Sequence, residues 1–392
     1  MNILFYRYNS ICEPDIIAAF HELGHTVHTI DTEIIRKDVT AKETISLVHR
    51  ELCDHNYHFV FSINFYPAIS EVCNIHHIRY ICWIVDSPVL ELYSHSISNP
   101  WNRVFLFDSA LYQDFCKYNP NGIFYLPLAC NVTDKYNTAI SANDAIRQKF
   151  THQISFIGSL YSEKNPYIHL EHSSDYMHGY LDSIMDIQLK IYGSYLIDEL
   201  ITDDIEKYFQ ENMKKRYIFP ENSYADYKAL ISQFYIGTNL TVMERTHLLD
   251  ILSRRTRTDI YTFSDTSSLP YLHNHGGAQT LTEMPVIFHN SQINLNLTSR
   301  PIRNGISLRV WDVLGCEGFL LTNYQNDLLL HLEPEKHLDI YTSEEEFLDK
   351  TDFYLAHPVL CKEIAHNGYE YVKANHTYVI RCNEMLQIAF SN

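Results

Sequence analysis

The chain has 392 residues, enough for two packed cores, and its 46% hydrophobic and 20% charged residues are those of a soluble globular protein. Its 48 acidic against 30 basic residues leave a formal net charge of −18, which excludes a general affinity for nucleic acid or anionic membrane and makes any anion site local. No apolar run approaches the roughly 18 to 20 residues that span a bilayer, and nine cysteines without CxxC spacing fit a reducing, cytoplasmic setting.

MNILFYRYNS lacks a cationic lead and a long apolar core, so it reads as a first strand, Asn2 to Tyr6, and not as a signal peptide. A helix from Asp15 to Leu23, stopped by Gly24, leads to a second strand at Thr26 to Ile30, a βαβ beginning of the kind that builds parallel sheets. The pattern repeats with a helix near Lys42 to Cys53 and strands at Phe59 to Ile63, Tyr80 to Val85, Val104 to Phe107 and Ile123 to Pro127. Residues 1–131 are therefore expected to form a doubly wound α/β domain. Ligands of such sheets lie beyond the carboxyl ends of the strands, which selects the loops holding Asn9, Asn64 and Asp86. The absence of GxGxxG after the first strand argues against a nicotinamide or flavin dinucleotide.

Residues 132–150 are polar without a clear period and read as a linker. A second domain, 151–375, opens with the strand Ile154 to Ile157, the turn Gly158 and Ser159, and Lys164 five residues beyond that serine. Residues 165–257 carry helical spacing and are expected to be a helical insertion. The sheet resumes at Asp259 to Phe263, and Ile293 to Leu297 alternates apolar and polar residues as a strand does. The loop after it holds Arg300, Arg303 and Gly305, with Ser307 positioned to cap a helix starting near Leu308. On that helix Arg309 and Asp312 share a face. Orphan N–H groups at a helix start, a glycine and three arginines suit a phosphorylated ligand, the plain alternative being an arginine-decorated surface loop. His76 with His77, and His273 with His275, have no cysteine or carboxylate at zinc-like spacing, so no metal site is expected.

The segments FSINFYP, WIVDSP, LPLACN, FIGSLY, NHGGAQTLTEMP, INLNLT and GISLRVWDVLGCEGFLLTNY resemble the CgeB-like spore-maturation family of bacterial glycosyltransferases over nearly the whole chain. The resemblance implies an α/β fold of the GT-B type: two Rossmann-like domains with parallel sheets facing a cleft, and a closing segment, 376–392, that crosses back to the first. It also implies transfer of a sugar from a nucleotide-sugar, expected to be a UDP-sugar, to a glycan, protein or lipid-linked acceptor without a metal or other cofactor.

By the same resemblance Asp312 would hold the ribose hydroxyls and Asn304 the sugar. Gly305, Ile306, Ser307 and Leu308 would hold the phosphates through their backbone. Ser159 and Lys164 stand near the family's Arg and Lys after the strand ending at Gly158, with Arg309, Arg300 or Arg303 supplying missing charge. His275 and Gly276 would approach the donor. Asp86 would serve as base or acceptor-orienting carboxylate, its alternative being a helix cap in Asp-Ser-Pro with Pro88 as first helical residue. Asn64 and Asn9 would line the acceptor side, Asn64 being equally suited to a turn. A sugar-nucleotide epimerase and a non-catalytic nucleotide-sugar-binding protein are the competing readings. Oligomeric state is not legible.

Overall fold

The computed structural model describes residues 1–391, which cluster into two compact units. Unit 1 comprises residues 1–129 and 219–225 together with the chain from His376 onward. Its strands are β1 (Asn2–Tyr6), β2 (Thr26–Ile30), β3 (Phe59–Ile63), β4 (Arg79–Ile84), β5 (Asn102–Leu106) and β6 (Ile123–Tyr125). All pair in parallel, in the order β2-β1-β3-β4-β5-β6. Connections between them include α1 (Glu13–Glu22), α2 (Ala41–Asp54) and α3 (Pro67–His76).

Local chemistry accounts for these elements. Thr40 and Glu43 form a reciprocal capping box that starts α2. Every residue of β3 is buried, the signature of a central strand covered on both faces. Trp83, Tyr80 and Phe61 are fully buried, and each such large apolar side chain contributes about 1.5–3 kcal/mol. The closing helix Tyr378–Phe390 belongs to this unit, with Tyr378 edge-on to Trp83 and Phe390 edge-on to Phe59.

Unit 2 holds residues 130–218 and 226–375. The stretch 132–150, expected to be a linker, is instead two helices, α4 (Val132–Ser141) and α5 (Asp144–Lys149). Asn131 and Asn143 cap them, accepting from the backbone N–H of Asp134 and Ile146, and α4 buries Val132 and Ala139. Then come β7 (His152–Ile157), the helical insertion with α6 (Asp175–Leu189), α7 (Asp203–Asn212) and α8 (Gly237–Ser253), β8 (Asp259–Tyr261) and the short β9 (His273–Asn274). The chain continues through α9 (Met284–Asn290), β10 (Ser291–Asn296), α10 (Leu308–Gly315), β11 (Leu320–Asn323), β12 (Asp339–Tyr341), α11 (Glu344–Ala356) and α12 (Pro358–Asn375).

The second sheet is also wholly parallel, in the order β12-β11-β10-β7-β8-β9. Its core joins Ile154, Phe156, Ile293, Leu295 and Leu321 to Leu248 and Leu252 of α8. Both sheets reverse their winding once, between β1 and β3 and between β7 and β10, and open parallel sheets take ligands beyond the carboxyl ends at such points. No helix among the described residues is long and apolar enough to cross a membrane.

Candidate functional site

At the reversal in unit 1, two asparagines leave the strand ends in left-handed backbone, Asn9 with φ 76° and Asn64 with φ 57°. Asn64 is a hub. Its Nδ2 donates to the Tyr8 hydroxyl at 3.0 Å and to Asp86 Oδ2 at 2.7 Å, and its Oδ1 accepts from the Val85 N–H at 3.1 Å. The loops after β1, β3 and β4 are thereby tied together, with Asp86 exposed.

Asp86 caps no helix. It lies in a bend, the Ser87–Pro88 peptide is cis, and the next helical turn begins at Leu90. Burial and then the Asp86 charge push the Tyr8 phenol up, and burial with Glu33 does the same for Tyr66. Both hydroxyls are therefore neutral donors near pH 7. Tyr66 and Tyr6 donate toward Glu33. Asn9 is exposed beside this cluster.

At the reversal in unit 2, a residue missed from the sequence organises the site. Arg245 of α8 is over nine-tenths buried and donates to backbone carbonyls only: Nε to Leu297 O at 3.0 Å, Nη2 to the same oxygen and Nη1 to Ser159 O. It therefore joins the loop after β7 to the loop after β10. The guanidinium also lies over the Tyr161 ring at 4.9 Å. A lone arginine among the apolar residues of a helix was the available signal.

Around this pin the expected residues divide. Gly158 and Ser159 turn beside Arg245. The Ser159 hydroxyl is engaged, donating to Glu163 at 2.7 Å and accepting from the Tyr161 N–H. Lys164 is exposed and makes no ion pair among the described residues, lying 5.9 Å from the Tyr161 ring. Gly305 and Ile306 are buried and lead into α10.

Ser307 stands at the N-cap position, yet its side chain caps nothing and its hydroxyl turns to Asn296 at 3.4 Å. The first-turn N–H groups, at Leu308 and beyond, thus receive no side-chain cap. A Schellman turn ends the helix, with Gly318 N bonded to Val313 O and Glu317 N to Leu314 O, Glu317 taking φ 56°.

Several residues expected at the ligand meet partners within the protein. Arg300 is buried in a two-pronged pair with Glu244, both contacts at 2.8 Å, and it also donates to the carbonyl of Ile191. Arg303 pairs with Asp198 at 3.0 Å. Each guanidinium thus already faces a carboxylate of the protein. Arg309 lies 5.1 Å over the Phe288 ring and 3.5 Å from Asp312, and burial lowers its pKa.

Asp312, expected at a ribose, is 2% exposed and forms an ion pair with Lys135 of α4. Burial opposes the lysine charge, but Asp312 outweighs it and raises the pKa. The carboxylate thus faces two half-buried cations, Lys135 and Arg309. The Asn304 carboxamide oxygen accepts from Asn326 at 2.6 Å and its carbonyl from the Asp327 N–H, tying the loop to the segment after β11.

His275 is held away from this edge. Its Nε2 lies 2.8 Å from Asp259, which also accepts from Arg257 through both carboxylate oxygens and lies 3.4 Å from His152. His152 and Asp259 open β7 and β8, at their amino ends. Gly276 follows with φ 78°. A cavity of about 700 Å³ in unit 2 also lies at the amino ends of strands, lined by His152, His289, Glu317 and Phe319. Its size does not mark the loops gathered by Arg245.

Residues 245–387 match a family model described as glycosyl transferase-like. No curated protein sequence matches the chain. Among solved structures the fold is similar to that of HepE from Anabaena in complex with UDP and glucose, at 8% identity and TM-score 0.57, with 100% of each chain covered. A glycosyltransferase from Rickettsia africae aligns at 11% identity and TM-score 0.57, covering 100% of this chain and 99% of that one. Sucrose-phosphate synthase from Thermosynechococcus elongatus aligns at 8% identity and TM-score 0.60, with 100% and 99% covered. The fold is thus the two-sheet α/β fold of GT-B glycosyltransferases.

Proposed function

We propose that the chain is a glycosyltransferase that moves a sugar from a UDP-sugar to a hydroxyl on a carbohydrate, protein or lipid-linked acceptor. The observation that carries this reading is the pinned reversal point of unit 2, where Arg245 joins the loops after β7 and β10 beside a helix start that no side chain caps. The glycosyl transferase-like match, which begins at that arginine, and the UDP bound by HepE support it.

In this mechanism the diphosphate takes backbone N–H groups from Gly305 to Leu308 and the charge of Lys164, with Gly158 and Ser159 against it. Negative charge grows on the nucleoside diphosphate as the glycosidic bond breaks, and N–H dipoles fixed before the reaction stabilise it without reorganising. No metal enters the proposed chemistry. In unit 1, Asp86 takes the acceptor hydroxyl proton, oriented by Asn64, whose amide also donates to the Tyr8 hydroxyl in the same cluster. Arg309 and Asp312 act indirectly, holding α10 against α4 through Lys135.

Incubation with a panel of nucleotide sugars, reading released nucleotide, tests the assignment. UDP release from a UDP-sugar is the expected result. Absence of nucleotide release and of calorimetric binding across the whole panel would overturn it, and an isomerised sugar still attached to its nucleotide would identify an epimerase.

A further inference from the structure

We propose that His49, Cys53 and His76 form a zinc-type divalent-cation site that fastens α2 to α3 in unit 1. His49 and Cys53 are one helical turn apart on α2, the spacing that puts two metal ligands on one face of a helix. His76 is the last residue of α3, which packs against α2. One ligand atom from each residue lies within 4.8 Å of the other two.

One distance matches a metal as it stands: Cys53 Sγ lies 3.6 Å from His49 Nε2, and a tetrahedral zinc with Zn–S about 2.3 Å and Zn–N about 2.0 Å separates its sulfur and nitrogen ligands by about 3.6 Å. His76 Nε2 lies 2.8 Å from the other His49 nitrogen, Nδ1, so a single site needs a rotation that turns one His49 nitrogen toward both partners, and these are surface side chains, His49 and Cys53 being exposed and His76 half-buried. One thiolate and two imidazoles suit zinc over magnesium or calcium. Binding displaces the Cys53 thiol proton to solvent, and water fills the remaining position.

The other histidine cluster, His152, Asp259 and His275, already has its carboxylate engaged by Arg257 through both oxygens and His152 bonded to the Tyr261 hydroxyl at 2.8 Å. The site lies at the amino edge of the sheet, away from the Asp86 loops, so its ion is structural.

The test uses the full chain without a histidine tag, titrated with cobalt(II) and, against a chromophoric chelator, with zinc. The expected result is about one equivalent bound, a near-ultraviolet thiolate-to-cobalt absorption band, and an unfolding temperature that zinc raises. Cys53→Ser should abolish the band and weaken zinc by more than the roughly 10- to 100-fold that loss of an outer-shell partner costs. His76→Ala should weaken it comparably, with circular dichroism confirming that both variants fold. No zinc binding, no thiolate band, or zinc retained by Cys53→Ser and lost by His275→Ala would each overturn the proposal.

Discussion

The reversal point of the first sheet gathers tyrosines, an asparagine hub and two carboxylates, Asp86 and Glu33, whereas that of the second gathers a buried guanidinium, backbone turns and an uncapped helix start. Both sheets are six-stranded, wholly parallel and reversed once. One topology therefore carries different electrostatics, a carboxylate cluster in unit 1 and a buried guanidinium beside a helix start in unit 2, to which the proposed reading gives the acceptor proton and the diphosphate. Topology chooses where loops converge; the side chains beyond the strand ends choose what can bind there.

That contrast can be broken most sharply at Asp86. Asp86→Asn should lower the transfer rate by roughly 10²- to 10⁴-fold while leaving UDP affinity unchanged by calorimetry, since the base and the nucleotide contacts are assigned to different units. A parallel loss of UDP affinity would contradict that division. The next effect falls on unit 2. Arg245→Met leaves two loop carbonyls without their donors, so urea unfolding should show a loss of roughly 2–4 kcal/mol, and UDP binding should weaken with it. Arg245→Lys should not restore either property, because one ammonium cannot reproduce the forked reach to Ser159 and Leu297.

The smallest effect concerns the amino edge of unit 2, which serves as a control. Burial works against the Asp259 charge, but hydrogen bonds from His152, Arg257 and His275 outweigh it and hold the carboxyl below its ordinary range. A depressed carboxyl contributes stability above its unfolded pKa, and the contribution is lost as pH falls through the folded value. The stability advantage over Asp259→Asn should therefore be present at pH 7 and fade below about pH 4, with UDP affinity at pH 7 the same in both proteins. Weaker UDP binding by Asp259→Asn would return His275 to the ligand.

Much of the scaffold was readable because its signals are local. Buried parallel strands appear as short apolar runs, and β1 and β3 fall where those runs predict, as does the mostly exposed edge strand β2. The misread stretch 132–150 shows the limit of that reading. Its helices are short and weakly amphipathic, and their stability comes from Asn131, Asn143 and packing on α9 and α10.

The candidate site was less legible, for one electrostatic reason. An arginine in a glycine loop looks the same in sequence whether its partner is a phosphate or a carboxylate, and the carboxylates of Glu244 and Asp198 stand 56 and 105 residues from Arg300 and Arg303. Arg245 was harder still to read, since its carbonyl partners leave no mark in a sequence and only a lone arginine on a helix pointed to it.

By itself the amino-acid sequence determined the alternating strands and helices, the two parallel sheets they build, and the loops at their carboxyl ends, because periodicity, capping and glycine placement act over a few residues. Only the tertiary structure decided which charges are spent and which remain. Lys135 on Asp312, Arg300 on Glu244, and His76 on His49 are meetings of distant segments, and a charge or ligand atom acquires its chemistry from the group that burial brings against it.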